Sequence, residues 1–93
     1  MNKTIRLVAG LQSIAGAKTV DVHLEPEATV RDLLRGLPEA NPALANHILT
    51  PEGELAAHFR LIVGGQHIDF LQGLDTAVNE RDEIMLIPPL AGG

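Results

Sequence analysis

The residues with most bearing on chemistry are the last four, Leu90-Ala91-Gly92-Gly93. Beyond Leu90 no side chain exceeds a methyl group. A Gly-Gly end is thin and lets another backbone approach closely. It suits a main-chain carboxylate, that of Gly93, threaded into a narrow active site on another protein. Immediately before it stand Pro88-Pro89, which follow the apolar run Ile84-Met85-Leu86-Ile87. Neither proline can donate a ladder hydrogen bond, so the pair ends sheet pairing and stiffens the exit of the tail. A terminal Gly-Gly by itself reads as a frayed end. The Pro-Pro lead-in after a core strand favours a working tail.

Other chemistries lack their residues. The chain has no cysteine, which excludes a disulfide framework, a thiolate metal site and a thiol nucleophile, and suits a reducing, cytoplasmic setting. Ser13 is the only serine and has no nucleophile motif around it. His23, His47, His58 and His67 form no i, i+4 pair, so they read as solvated surface groups and no metal is expected. Gly64-Gly65 lacks the GxxxxGK[ST] context of a phosphate-binding loop and reads as a hairpin turn, so no cofactor is expected on this chain. Glu25, Glu27, Glu52 and Glu54 flank turns as solubilising charges. A net charge of −5 with 2% aromatic residues argues against nucleic acid and favours a protein partner with a basic face. No run approaches the ~18 apolar residues of a membrane helix, and the N-terminus does not read as a signal peptide.

The elements that must carry the tail follow from periodicity. With 93 residues, 45% of them hydrophobic, the chain suits one domain with a core of Leu, Ile and Val. Residues 1–10 alternate as a strand, with Ile5, Leu7 and Ala9 on one parity and Arg6 and Val8 on the other. Residues 11–18 read as a loop or wide turn. Residues 19–24 form a second strand with Val20, Val22 and Leu24 inward, paired with the first as a hairpin. Thr29 caps a helix, with Asp32 at the third position and Val30, Leu33, Leu34 and Leu37 on one face. Gly36 weakens its last turn and Pro38 stops it. Asn41-Pro42 opens a short second helix, with Leu44 and Ile48 facing the core. Thr50-Pro51-Glu52-Gly53 is a turn. A third strand at 58–63 returns through Gly64-Gly65 into a fourth at 66–70. Leu74 and Val78 lie in an irregular stretch with side chains to plug the core. The last strand, Ile84–Ile87, is apolar on both parities. That pattern fits a strand buried on both faces, a register shifted by one residue that would exchange Met85 and Ile87 for Ile84 and Leu86, or an apolar docking patch on the sheet face away from the helix, formed by Val8, Ile62, Met85, Ile87 and Pro88.

From Asp82 to Gly93 the chain resembles the MoaD/ThiS family of ubiquitin-like sulfur carriers: an acidic pair, an apolar strand, Pro-Pro, a small residue and Gly-Gly. Thr29-Val30-Arg31-Asp32-Leu33-Leu34 is similar to the family's helix opening. Val63-Gly64-Gly65-Gln66-His67-Ile68 sits at its usual hairpin, with Gly64 in place of Asn. Residues 70–78 resemble the branch that includes a cysteine-synthesis sulfur carrier. The Arg-Glu of molybdopterin-type members is absent from residues 11–16.

The resemblance implies an α+β, β-grasp fold of about five strands in a mixed sheet on one main helix, with residues 1–90 as the domain and 91–93 as a flexible tail. It implies that a separate adenylyltransferase of the ubiquitin-activating type, using ATP and Mg, adenylates the Gly93 carboxylate. Sulfur then replaces AMP, giving a thiocarboxylate for a sulfur-accepting synthase. Leu90, Ala91 and Gly92 would be the residues recognised in the tail. On this view the chain is a co-substrate and not an enzyme. The acceptor could be a pterin precursor, a thiazole, an activated serine derivative or a tRNA base. Two other readings share the features: a ubiquitin-like modifier conjugated through Gly93, or a β-grasp binding module with an inert tail.

Overall fold

The computed structural model describes residues 1–89. Strand β1 (Asn2–Leu7) and strand β2 (Thr19–His23) form the expected antiparallel hairpin, with Ile5 opposite Val20. Their connection is not the loop expected for residues 11–18. It contains a short helix, α1 (Leu11–Ala15), that buries Leu11. The Gln12 amide donates to the Leu7 carbonyl at 3.0 Å, and Gly16 ends the helix at a left-handed φ of 73° with its N–H on the Gln12 carbonyl. The run of small residues hides the helical period, because only Leu11 and Ile14 mark its apolar side.

The main helix, α2 (Val30–Ala40), starts where expected. The Asp32 carboxylate accepts the Thr29 backbone N–H at 3.0 Å and the Thr29 hydroxyl at 3.3 Å. The first of these bonds is the main cause that holds the Asp32 pKa below its ordinary value; desolvation opposes it, and the hydroxyl, Arg35 and Arg31 add smaller lowering effects. Pro38 does not stop the helix, which runs two residues further. Placed in the last turn, it removes one intrahelical donor, and the Asn41 N–H still closes on the Leu37 carbonyl at 2.8 Å. Gly36 has a packing role beside its weak helix propensity. A Cβ there would lie 2.6 Å from Val22 Cγ1, so its absence lets α2 settle close against β2. Helix α3 (Pro42–Ile48) is capped by the Asn41 side chain, which accepts the Leu44 N–H at 3.0 Å.

Strand β3 (Arg60–Val63) is shorter at its start than the expected 58–63. His58 sits at φ +74°, a turn conformation that keeps it out of the ladder. Gly64 and Gly65, at φ +58° and +86°, make the tight turn into β4 (Gln66–His67). The returning strand does not reach Phe70. The His67 ring accepts the Asp69 N–H at 3.0 Å through Nδ1 and turns the chain into a 3-10 segment, Ile68–Phe70. A second such segment, Gly73–Asp75, carries the partly buried Leu74 toward the core, and Val78 is fully buried. Strand β5 (Ile84–Ile87) completes the sheet.

The sheet order is β2-β1-β5-β3-β4. Strand β5 lies at the centre, parallel to β1 and antiparallel to β3. One face of the sheet buries Ile5, Leu7, Val20, Val22, Leu61, Val63, Ile84 and Leu86 against Val30, Leu33, Leu34 and Leu37 of α2 and Leu44 and Ile48 of α3. This is the expected α+β arrangement of a mixed five-stranded sheet and one main helix. Among the described residues no helix is long and apolar enough to cross a membrane.

Lys3 takes a core-facing position on β1 and is 6% exposed. Its ammonium donates to the carbonyls of Asn79 at 2.9 Å and Glu80 at 3.0 Å, clipping β1 to the turn before β5. A buried charge is tolerated when bonded in this way. Nothing in the periodicity marks Lys3 out, because a lysine at an inward position reads as a break in the pattern.

Candidate functional site

In β5 the side chains alternate, so the strand is not buried on both faces. Ile84 and Leu86 are 1% exposed and face the helices. Met85 and Ile87 are half-buried and belong to the opposite face. Met85 stands directly across from Ile62 of β3 and, on the other side, beside Arg6 of β1. Ile87 stands across from Arg60. Antiparallel partners share a face, so the helix-free side of the sheet has an apolar centre, Ile62-Met85-Ile87, flanked by exposed arginines.

Val8 and Pro88 extend this centre. Both are half-buried. Val8 lies just past β1, with its N–H on the Leu86 carbonyl at 3.2 Å. The five residues expected to dock a partner are therefore all partly accessible, and four of them cluster where β1 and β5 end side by side, with Ile62 next to Met85. Together they make a partly exposed apolar strip. It offers apolar side chains for burial, with charge at the rim.

The charge at this rim is not that of the chain as a whole. Net charge is −5, yet Arg6 and Arg60 border the apolar centre. Arg6 makes an exposed contact with Glu83 at 3.5 Å, while among the described residues no ion pair engages Arg60. The same face also carries Asp21 of β2, which accepts the Thr4 hydroxyl, so its rim holds charges of both signs.

One contributor escaped the sequence reading. Phe70 is 85% exposed, at the end of the 3-10 segment that follows β4. Its ring meets the His67 ring edge-on, with centroids 6.4 Å apart. Phe59, Phe70, Leu74, Ile87, Pro88 and Pro89 line one open groove, so Ile87 and Pro88 join the groove to the sheet-face patch. An aromatic residue outside the alternating strands carries no periodic signal. Only the turn at His67 sets it on the surface.

The tail residues Leu90, Ala91, Gly92 and Gly93, expected to hold the reactive carboxylate and its recognition elements, lie outside the described residues, as does the boundary expected at residue 90. The four histidines are dispersed. His47 packs edge-on against Phe59, His23 and His67 lie near exposed carboxylates, and among the described residues no three potential metal ligands gather.

Comparison with known proteins identifies the family and supports the fold. The family model described as the ThiS family matches residues 5–93. Small archaeal modifier protein 1 of Haloferax volcanii is 36% identical over 88 residues, covering 95% of this chain and 97% of its own length. A protein of Archaeoglobus fulgidus described as a candidate sulfur carrier is 31% identical over 74 residues, covering 78% of this chain and 84% of its own. The crystal structure of SAMP1 from Haloferax volcanii superposes with a TM-score of 0.85 at 34% identity, over the whole of both chains.

Proposed function

This chain belongs to the ThiS family and has its ubiquitin-like β-grasp fold, and from that premise we propose that it is a cytoplasmic sulfur carrier working through the Gly93 carboxylate. The observation that carries the reading is the half-exposed apolar centre Ile62-Met85-Ile87, which continues through Pro88 to the point where the tail leaves the sheet. A partner gripping that face is placed to receive the tail.

The chemistry follows from the weakness of a carboxylate as an electrophile. In the proposed first step a Gly93 carboxylate oxygen attacks the α-phosphate of ATP on an adenylyltransferase of the ubiquitin-activating type, and pyrophosphate leaves. Hydrosulfide furnished by a sulfur donor then attacks the acyl carbon: the C–S bond forms, the C–O bond to AMP breaks, AMP leaves as the anion and the remaining S–H proton passes to water, giving the thiocarboxylate. ATP and Mg belong to that partner, and a sulfur-accepting synthase consumes the product. The chain contributes a handle: a rigid sheet, a docking face and an activatable end. Leu90, Ala91 and Gly92 would give the tail its fit in the partner's channel.

A second reading, conjugation of Gly93 to lysines as a protein modifier, is favoured by the small archaeal modifier proteins among the relatives. It uses the same acyl-adenylate with an amine in place of sulfur.

The test is intact mass. With the cognate adenylyltransferase, ATP, Mg and a sulfur donor, the mass should rise by about 16 Da, the difference between sulfur and oxygen in one carboxyl group. Deletion of Gly93, or one residue added after it, should abolish the rise without changing stability. A chain lacking Gly93 that still gained sulfur would overturn the proposal.

A further inference from the structure

Strand β2 stands at the edge of the sheet, paired with β1 alone. The Leu7 N–H donates to the Lys18 carbonyl at 3.0 Å and the Leu24 N–H to the Met1 carbonyl at 2.7 Å. These bonds fix the phase of the antiparallel ladder, in which alternate residues turn their backbone groups toward the partner strand. Residues 18, 20, 22 and 24 face β1, so the N–H and C=O groups of Thr19, Asp21 and His23 point away from it. All three residues are exposed. Among the described residues no other backbone group bonds to them. An open row of this kind is a template for one more strand.

Asp21 stands at the middle of this edge, on the helix-free face. One of its carboxylate oxygens accepts the Thr4 hydroxyl at 2.6 Å, and among the described residues no ion pair engages the group. On the other face α2 borders the edge. A Cβ at Gly36 would lie 2.6 Å from Val22 Cγ1 and 3.8 Å from the His23 carbonyl oxygen, which sets that turn of α2 over the end of β2. One helical turn to either side of Gly36 stand Asp32 and Glu39, both exposed. The arginines of α2 serve its opposite flank, where Arg31 and Arg35 line a groove with Leu34 and Leu74. The cations Arg6 and Lys18 lie at the far end of the strand, beside Thr19. From Asp21 onward the edge is therefore acidic on both faces. Two copies of β2 paired about a two-fold axis at Asp21 would set the two carboxylates opposite one another, so the same charge opposes a second copy as occupant.

We propose that the β2 edge takes up an extended basic segment of a partner protein as a sixth strand of the sheet. The backbone of that segment pairs with the N–H and C=O groups of Thr19, Asp21 and His23. Successive side chains of a strand point to opposite faces. A lysine or arginine opposite Asp21 meets its carboxylate on the helix-free face, and the residues next to it turn to the α2 side, where Asp32 and Glu39 favour a second positive charge. Main-chain bonds supply affinity and the alternating charges supply selection. The surface is separate from the Ile62-Met85-Ile87 strip, which lies beyond β1, and it needs nothing from Gly93.

The probe is a short peptide of alternating valine and lysine, acetylated and amidated, added in excess to the full-length chain. Backbone amide hydrogen exchange reads the pairing residue by residue. In the free protein the Thr19, Asp21 and His23 amides should exchange fast, because they lack partners, while those of Val20 and Val22 are protected by β1. The peptide should slow exchange at the first three by about tenfold or more and leave Ile62 and Met85 unchanged. The same peptide with glutamate for lysine should give no protection. Neither should the lysine peptide N-methylated at every residue, which keeps the charge and loses the backbone donors. Asp21→Asn should weaken the lysine peptide by about tenfold, the scale of one close charge pair. Asp21→Lys should reverse the preference between the lysine and glutamate peptides. Protection that is absent, that falls on other amides, that survives N-methylation or that ignores the charge at Asp21 would overturn the proposal.

Discussion

Ile62 and Met85 stand opposite one another on β3 and β5, both half-exposed on the face of the sheet that no helix covers. Strands so placed normally turn a polar face to water. Here the pair forms the middle of an apolar strip that ends at Pro88. Met85→Glu puts a charge in that strip without touching the core residues Ile84 and Leu86. The stability cost should be about 1 kcal/mol or less, the scale of one cross-strand pair. Binding to the adenylyltransferase should weaken by about 2 kcal/mol or more, as for a central interface anchor. Thermal unfolding and titration calorimetry measure the two effects. Global unfolding of the variant would make Met85 a core residue and remove the docking face.

Gly36 opposes two effects that can be weighed. Alanine at an interior helical position gains about 1 kcal/mol over glycine from propensity. Against this, a Cβ would approach Val22 Cγ1 to 2.6 Å, and Val22 is 1% exposed. Its branched side chain has little rotameric freedom to retreat. Overpacking of this kind costs about 1–3 kcal/mol. Gly36→Ala should therefore destabilise the fold, by about 1 kcal/mol net, measured as a lower denaturation midpoint at unchanged slope. A midpoint that rises would show that α2 can lift away from β2 freely.

The cap of α2 has a pH signature. Asp32 is lowered below its ordinary value of 3.8, chiefly by the hydrogen bond from the Thr29 N–H. A carboxyl lowered on folding contributes stability that is complete above its unfolded pKa and is lost as pH falls through the folded one. The wild type should lose stability below the ordinary aspartate range, and Asp32→Ala should show a smaller loss across the same interval with lower stability at neutral pH. Parallel pH–stability curves for the two proteins would assign the acid sensitivity to other carboxylates.

Much of the fold was legible because its signals are local and periodic. Val20, Val22 and Leu24 alternate, Val30, Leu33, Leu34 and Leu37 recur at helical spacing, and Asn41-Pro42 announces its own helix start. The partly exposed apolar face was legible for the same reason, since Met85 and Ile87 fall on the opposite parity to Ile84 and Leu86. What remained hidden depends on single side-chain bonds. His67 turns β4 aside through one hydrogen bond to Asp69, which displays Phe70. Gln12 and Gly16 fix the ends of a helix too short to show a period. The clip made by Lys3 joins residues far apart in sequence, and no pattern along the chain could announce it.

The central position of β5 bears on how the molecule is made. Strands β1 and β3 have no ladder between them; each pairs with β5, the last described strand to leave the ribosome. Until Ile84–Ile87 emerge, the hairpin of β1 and β2 and the hairpin of β3 and β4 are separate pieces with open edges, and the pairing that unites them spans nearly the whole described chain. Such non-local closure makes folding late and slow relative to local hairpins. A nascent chain halted before Ile84 presents unpaired strand edges, which invite proteolysis or aggregation. Because Met85 and Ile87 belong to the strand that closes the sheet, the apolar face around them comes into being with the fold itself, and only on chains synthesised almost to Pro88.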